Sequence, residues 1–209
     1  MANNLVIAIG RQFGSGGRDI GKGVAEKLGI AFYDKEILAN AARESGIMQN
    51  LFEEMDERYT PSFLYNLSVG GGYTMPFFYG VDDSHLPTGE RLFAWQARTI
   101  EKFAKEGPCV IIGRCADYIL QENPKLVSIF VYADVDYRKK RIAQRHNVRE
   151  DVAAVMIRKT DKTRANYYNF STDRKWGDMT NYDLCVNSAK LGTEKTIQLI
   201  CDYVTSRQG

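Results

Sequence analysis

The chain has 209 residues, of which 44% are hydrophobic and 26% charged, a composition typical of one globular α/β domain. A net charge of +2 argues against the large positive field of a general nucleic-acid-binding protein, so no nucleic-acid partner is expected. No run of about 18 apolar residues and no signal-peptide pattern occurs, so neither a membrane span nor secretion is expected. The four cysteines lack CxxC spacing, which favours reduced thiols in the cytoplasm over a zinc site.

The chain opens with a predicted strand, a glycine-rich loop and a helix. A continuous apolar run at Leu5–Ile9 is typical of a strand buried on both faces of a parallel sheet. The loop contains Gly14–Gly17, and apolar residues at helical spacing then predict a helix at Arg18–Leu28 that ends at Gly29. Ile30–Tyr33 is predicted to form a second short strand.

Two helices and a long segment without periodicity follow. Asp34 lies where it would cap a helix that runs to about Ser45, and a further helix is predicted at 48–58. Residues 60–87 contain a run of three glycines, three prolines and several aromatic residues, which is typical of a functional loop or a disordered segment. The aromatic side chains there are candidates for core packing and for lining an acceptor pocket.

The second half of the chain alternates helices and strands. In chain order we predict a helix at 88–106, strands at 109–112 and 126–132, helices at 134–145 and 150–167, a strand at 182–186 and a helix at 193–206. Together with the opening elements, this alternation predicts a three-layer α/β fold with a five-stranded parallel sheet and helices on both faces.

The glycine-rich loop is the first candidate site. In a strand–loop–helix unit, glycines let backbone N–H groups approach phosphate oxygens, and the helix N-terminus adds a partial positive charge. We therefore expect phosphate binding by Gly14, Ser15, Gly16, Gly17, Arg18 and Asp19. The alternative is a tight strand-to-helix turn that binds nothing.

The loop departs from the usual pattern G-x-x-x-x-G-K-[ST]. If Gly16 is the last glycine of the pattern, the lysine position holds Gly17 and the hydroxyl position holds Arg18. If Gly17 is the last glycine, Arg18 takes the lysine position and Asp19 the hydroxyl position. Arg18 is the candidate replacement for the lysine, because a guanidinium group can bind phosphate bidentately.

Several segments resemble those of known small-molecule kinases. Phe13–Gly29, followed by Phe32–Asp34, is similar to the opening of cytidylate kinases and shikimate kinases. Ile112–Arg114, with Asp117 nearby, resembles the cytidylate-kinase segment that holds the monophosphate, and residues 183–194 resemble that family's last strand and helix entry. The chain is identified as a member of the cytidylate-kinase-like branch, whose loop reads R-x-F-G-S-G-G-R.

The resemblance implies a P-loop enzyme that transfers a phosphoryl group from ATP, with Mg²⁺ as cofactor, to a nucleoside monophosphate such as CMP or dCMP. It implies acceptor binding by Asp34, Arg114 and Asp117, and nucleotide contacts from Arg141 and Arg145 on the helix after the fourth strand. It also implies a single domain with an acceptor-binding insertion at about 46–106 and a lid at about 146–176.

The lid segment contributes two further arginines. Arg158 and Arg164 resemble the family's lid residues, which implies a catalytic role in closing over the transferring phosphoryl group. Asp161 lies at helical spacing from both and is expected to orient both guanidinium groups, with surface ion pairs as the alternative. Arg138, on the same helical face as the two nucleotide-contacting arginines, is interpreted as part of a solvated surface.

For both the Mg²⁺ ligands and the activity of the protein, the sequence leaves alternatives open. Asp19 and Asp34 are the candidate Mg²⁺ ligands, directly or through water, and helix-terminal roles are the alternative for both. Ile112 replaces the acidic residue of the family's usual D-G-R, as Gly17 replaces the lysine. Three functions therefore stay open: a nucleoside monophosphate kinase, a shikimate-type kinase of another metabolite, and a nucleotide-binding protein without turnover. The sequence predicts no oligomeric state.

Overall fold

The computed structural model describes residues 4–34, 36–45 and 88–207. The strands of this part are β1 Val6–Arg11, β2 Ala31–Tyr33, β3 Cys109–Ile112, β4 Leu126–Tyr132 and β5 Leu184–Asn187. They form one five-stranded sheet in the order β2-β3-β1-β4-β5, and every pairing is parallel. The predicted α/β fold with a five-stranded parallel sheet is confirmed.

Helices connect the strands. They are α1 Gly17–Leu28, α2 Glu36–Ser45, α3 Thr88–Glu106, α4 Ala116–Ile119, α5 Val135–His146, α6 Glu150–Thr172, α7 Ser188–Leu191 and α8 Thr193–Ser206, with a 3-10 turn at Met179–Asn181. None of the helices within the described ranges is long and apolar enough to cross a membrane.

The core has one layer on each side of the sheet because side chains alternate along the central strand. Val6 and Ala8 of β1 pack with apolar residues of α2, α3 and α4. Ile7 and Ile9 face the opposite way and pack with residues of α1 and α8. All four side chains are at most 2% exposed, so β1 is buried on both faces and supports the loop that follows it.

The boundaries differ from the sequence predictions in a few places. Helix α6 continues past the predicted end at Tyr167 to Thr172, and β5 begins at Leu184 rather than Tyr182. The short helices α4 and α7 were not predicted, because a helix of one turn carries no apolar periodicity. The predicted helix at 48–58 and the segment 60–87 lie outside the described residues. The insertion at 46–106 is described only where it forms α3, so the proposed domain division stays a prediction.

Candidate active site

The candidate residues gather at one edge of the sheet. Because all strands are parallel, their carboxyl ends meet at the same edge, where ligands of such sheets bind. The glycine-rich loop follows β1, Asp34 follows β2, and Gly113–Cys115 follow β3. The sequence therefore brings the predicted phosphate-binding and acceptor-binding segments to a common edge.

The glycine-rich loop turns tightly into α1. Gly14 and Gly16 have φ angles of +84° and +80°, in the left-handed region that favours glycine. A Cβ on Gly14 would lie 3.1 Å from the Cβ of Arg138, so the loop also packs closely against α5. Gly16 is the N-cap of α1 and offers no side-chain cap to the first turn of the helix. The first N–H groups of a helix have no intrahelical partner, so this turn fits an anion.

Three side chains from distant elements anchor the loop. The Ser188 Oγ donates a hydrogen bond to the carbonyl oxygen of Ser15 at 2.6 Å. The Phe13 N–H donates to Asp161 Oδ1 at 2.7 Å, and Arg138 Nη1 donates to Asp161 Oδ2 at 2.6 Å. Arg138 is only 6% exposed, so the solvated role expected for it is wrong. Its guanidinium group is buried because α6 covers this face of α5 and supplies the counter-charge.

The two predicted lid arginines lie on α6. Arg164 Nη1 donates to the carbonyl oxygen of Arg11 at 3.0 Å, and its Cζ lies 5.7 Å from the centre of the Phe13 ring. Arg158 is exposed on the same helix. The expectation that Asp161 orients both arginines is wrong, because its two oxygens hold the loop and α5 instead.

Two arginines of α5 flank the loop. Arg141 Nη2 and Arg145 Nη1 contact the same oxygen, Asp19 Oδ2, at 2.7 and 3.2 Å. A Cβ on Gly16 would lie 3.4 Å from the Arg141 Cζ, so this guanidinium group borders the glycines directly. The structure thus brings together Asp19 and both arginines that the sequence proposed for nucleotide binding.

A second ion pair joins α1 to the end of β2. Arg18 Nε contacts Asp34 Oδ2 at 2.6 Å, with the arginine side chain 48% and the carboxylate 8% exposed. The Arg18 Cζ also lies 5.9 Å from the centre of the Phe32 ring. Helix α2 begins at Glu36, two residues after Asp34. Arg18 is therefore oriented toward the predicted acceptor residue at the end of β2.

The segment after β3 has an unusual backbone. Gly113, Arg114 and Cys115 have consecutive φ angles of +67°, +60° and +55°. The left-handed conformation costs a non-glycine residue about 1–2 kcal/mol, and such strain concentrates at functional sites. Gln96, only 3% exposed, donates from Nε2 to the Arg114 carbonyl oxygen at 3.1 Å and helps to hold the segment.

Asp117 lies beneath this segment, where it is 9% exposed. The Tyr168 hydroxyl donates to Asp117 Oδ2 at 2.6 Å. Burial raises the pKa of Asp117, although the hydrogen bond from Tyr168 acts in the opposite direction. The pKa of the Tyr168 hydroxyl is also raised, chiefly by burial and secondly by the negative charge of Asp117. The predicted acceptor residue Asp117 thus has a direct partner on α6.

The carboxylates of the edge do not form a metal cage. Within the described ranges, no group of three or more His, Cys, Asp or Glu side chains is placed to hold a metal ion. Asp19 and Asp34 are each paired with arginine. The glycine turn and its surrounding arginines fit a polyphosphate, and Mg²⁺ that arrives with a polyphosphate keeps phosphate oxygens and water as its main ligands.

Among the residues that the structure describes, several contributors to the site were not selected from the sequence, including Arg11, Gln12, Gln96 and Ser188. Gln12 Oε1 accepts a hydrogen bond from the Ala133 N–H at 3.2 Å and links the loop to the end of β4. A signal existed for Arg11, which is a charged residue between the apolar run at Leu5–Ile9 and the glycines of the loop. No local signal identifies Gln96, because its role depends on the packing of α3 against the end of β3.

Comparison with known proteins identifies relatives along most of the chain. A sequence model of the cytidylate kinase-like family matches residues 6–190. The cytidylate kinase of Methanococcus vannielii is 26% identical over 94% of this chain and 97% of its own length. That of Methanocaldococcus jannaschii is also 26% identical, over 96% of this chain and 97% of its own length.

Solved structures agree in fold. An uncharacterized protein from Eubacterium ventriosum has a TM-score of 0.70 at 30% identity, covering 97% of this chain and 99% of that chain. Shikimate kinase from Acinetobacter baumannii, in complex with shikimate, has a TM-score of 0.50 at 12% identity, covering 99% and 96%. A gluconokinase from Sinorhizobium meliloti has a TM-score of 0.50 at 15% identity over the whole of both chains. At these identities the last two matches show a common fold alone.

Proposed function

The chain belongs to the cytidylate kinase-like family, and on that premise we propose that it transfers the terminal phosphoryl group of ATP to a nucleoside monophosphate, CMP or dCMP. The observation that carries the proposal is the glycine turn at the end of β1, with the Arg141 guanidinium group against Gly16. Phosphoryl transfer needs positioning and positive charge more than covalent chemistry from the protein, and this arrangement supplies both.

The loop and α5 form the donor side. We assign the ATP phosphates to the N–H groups of Gly14–Gly17 and to Arg141 and Arg145, which share the Asp19 carboxylate. That carboxylate lies in the first turn of α1 and holds both cations beside the loop, so incoming phosphates meet guanidinium groups already in place. Pre-positioned charge of this kind needs little reorganisation during the reaction.

The ends of β2 and β3 form the acceptor side. We assign the acceptor to Asp34 and Arg114, with Arg18 fixing the Asp34 carboxylate. Asp117 acts through its hydrogen bond with Tyr168, which ties the segment after β3 to α6. In the reaction, an acceptor phosphate oxygen forms a bond to the γ-phosphorus, the bond to the bridging oxygen of ATP breaks, and ADP leaves. Arg158 and Arg164 on α6 are assigned to the phosphoryl group in transit.

Mg²⁺ is the proposed cofactor and would travel with ATP. When bound, it neutralises the phosphate oxygens of the donor. Asp19 and Asp34 are the carboxylates that could orient its water ligands, because both lie at the edge next to the glycine turn. We place the reaction in the cytoplasm, where both nucleotides are available.

A second candidate is phosphorylation of another small metabolite. It is favoured by the shared fold with shikimate kinase and gluconokinase, and by the loop Gly14–Gly16 followed by Phe32–Asp34, which resembles shikimate kinases. A third candidate, nucleotide binding without turnover, is favoured by Gly17 and Ile112, which stand where the family's usual lysine and acid would be.

The test is phosphoryl transfer from ATP with Mg²⁺ to a panel of CMP, dCMP, UMP, AMP, GMP, shikimate and gluconate. We expect product from CMP or dCMP, and a loss on the order of 10²-fold in the Arg141→Ala variant, as for removal of one charge-stabilising donor. Arg207→Ala is the matched control, because Arg207 follows the last helix and pairs at 3.0 Å with Asp183, which precedes β5 at the edge of the sheet opposite the loop. Product from shikimate or gluconate alone would support the second candidate. ATP binding without transfer to any acceptor would support the third.

A further inference from the structure

The glycine at the lysine position has a steric cause. A Cβ on Gly17 would lie 2.5 Å from the Cβ and 3.2 Å from the Cγ of Arg11. The Arg11 Cβ is attached directly to the backbone of β1 and cannot swing aside. A side chain at position 17 therefore cannot coexist with Arg11 unless the backbone shifts, because protein interiors are closely packed.

Positions 11 and 17, whose side chains would collide, are also the two positions at which glycine and the basic residue are exchanged relative to the usual pattern. In the register G-x-x-x-x-G-K-[ST] that ends its glycines at Gly16, the first glycine position holds Arg11 and the lysine position holds Gly17. The cation and the glycine have exchanged places. Because the two positions are in contact, the exchange keeps one cationic side chain and one glycine in the same small volume.

The Arg11 guanidinium group lies between the donor and acceptor sides. A Cβ on Gly113 would overlap the Arg11 Nη1, so the group rests against the first residue after β3. The Arg11 stem passes Gly17 at the start of α1, and its guanidinium group reaches the segment that carries Arg114. On the other side, Arg164 Nη1 donates to the Arg11 carbonyl oxygen at 3.0 Å and fixes the end of β1 to α6.

Arg18 is placed differently. Its Nε contacts Asp34 Oδ2 at 2.6 Å, and its side chain is 48% exposed. It extends toward the end of β2 and Phe32. Of Arg11 and Arg18, the arginines that precede and follow the glycines in the sequence, Arg11 is therefore the one whose side chain occupies the space next to the lysine position.

We propose that Arg11 performs the work of the missing lysine and binds the phosphates of ATP, including the phosphoryl group as it passes to the acceptor. The inference rests on the proposed function for the transfer step. Its binding part requires only that the loop binds ATP. A guanidinium group suits this place because it can contact two phosphate oxygens at once, where a lysine offers one charge.

The experiment exchanges the two positions. Mg·ATP affinity by calorimetry and phosphoryl transfer to CMP are measured for wild type, Arg11→Gly, Gly17→Lys and the double variant Arg11→Gly/Gly17→Lys. We expect Arg11→Gly to lose turnover on the order of 10²-fold, and the double variant to recover about tenfold or more over Arg11→Gly. Gly17→Lys alone should lose both affinity and stability, because its side chain meets Arg11. Thermal unfolding reports which variants fold.

Arg11→Gln and Arg11→Lys give a second comparison that needs no exchange. Gln keeps most of the length without charge and should lose affinity, whereas Lys keeps the charge and should retain most of it. An Arg11→Gln variant that binds Mg·ATP and turns over like wild type would overturn the proposal, as would a folded double variant no better than Arg11→Gly. If wild type binds ATP but transfers phosphate to no acceptor, the proposed function fails. The Mg·ATP affinities of the Arg11 variants then still test whether Arg11 binds the phosphates. If wild type does not bind ATP, both fail.

Discussion

Buried Arg138 and partly buried Asp161 form an ion pair that holds both polar backbone groups of one loop residue. The Arg138 Nη1 to Asp161 Oδ2 distance is 2.6 Å, and the two side chains are 7% and 16% exposed. Asp161 accepts from the Phe13 N–H at 2.7 Å, while Arg138 donates to the Phe13 carbonyl oxygen at 3.4 Å. The position of the glycine-rich loop therefore depends on the contact between α5 and α6.

Asp161→Asn should destabilise the protein and weaken ATP binding. The substitution keeps the shape of the side chain but leaves the buried Arg138 without its counter-charge. Breaking a buried pair from one side costs about 3–5 kcal/mol, so we expect a loss of about 3 kcal/mol in the free energy of unfolding measured in urea. Asp136→Asn is the control, because its pair with Lys139 has a carboxylate that is 85% exposed and should contribute less than about 1 kcal/mol. Equal losses in the two variants would contradict the account.

Gly14→Ala should impair the loop more than an alanine elsewhere. Gly14 has a φ of +84°, and an added Cβ would lie 3.0 Å from Ile142 and 3.1 Å from Arg138. The left-handed backbone alone costs alanine about 1–2 kcal/mol, and the close contacts add to it. Gly107→Ala is the matched control, because its Cβ would meet no atom within 4 Å. Urea unfolding and Mg·ATP affinity should both fall for Gly14→Ala and stay near wild type for Gly107→Ala. Equal losses of stability and affinity in Gly14→Ala and Gly107→Ala would contradict the requirement for glycine at position 14.

Asp117 should make the protein less stable as the pH rises. Its pKa is raised in the folded state, chiefly by burial, so the folded protein holds this proton more tightly than the unfolded chain does. The contribution to stability is fully present below the unfolded pKa of about 4 and is lost as the pH rises through the folded pKa. Asp117→Asn removes the titration, so the free energy of unfolding of the variant minus that of wild type should increase with pH.

A control of opposite sign is available for this pH dependence. The pKa of exposed Asp151 is lowered by a hydrogen bond from Arg149. Its contribution is therefore present above the unfolded pKa and lost as the pH falls, so the corresponding difference for Asp151→Asn should decrease as the pH rises. Urea unfolding at several pH values between about 2.5 and 7 covers the range above the unfolded pKa, where Asp117→Asn should change, and the range below it, where Asp151→Asn should change. If the free energy of unfolding of Asp117→Asn minus that of wild type falls with pH or does not change, the raised pKa of Asp117 is contradicted.

Arg114→Ala should affect the acceptor more than ATP. Arg114 lies on the strained segment after β3, on the proposed acceptor side. Loss of a charge-assisted contact to a phosphate costs about 1.5–3 kcal/mol, so kcat/KM for CMP should fall on the order of 10–10²-fold while the KM for ATP changes little. Arg114→Lys should recover part of the loss. Steady-state kinetics with each substrate varied in turn would contradict the assignment if the KM for ATP rose as much as that for CMP.

The sequence predicted the elements whose signals are local. The apolar run at Cys109–Ile112 and the mostly apolar run at Leu126–Tyr132 became β3 and β4 with the predicted bounds. The long amphipathic helix at 88–106 was likewise predicted, and its residues Phe93, Ile100 and Ala104 are buried. In each case, apolar continuity or periodicity is sufficient to specify the element.

The rest depended on contacts between elements. Spacing placed Arg138 on one face with Arg141 and Arg145, but it could not show that α6 covers only part of that face. Nor could a linear pattern show that Arg11 and position 17 compete for one volume, since the conflict exists only when the loop has folded back on β1. Interactions across elements are set by tertiary packing, which periodicity does not encode.

The proposed kinase activity is tested most directly by ³¹P NMR of the wild-type protein mixed with ATP, Mg²⁺ and CMP. We predict that ADP and CDP accumulate in equal amounts, and that ADP formation is much slower when CMP is omitted. If neither CMP nor any other nucleoside monophosphate is phosphorylated while ATP is left intact or hydrolysed to phosphate, the proposed kinase activity is contradicted.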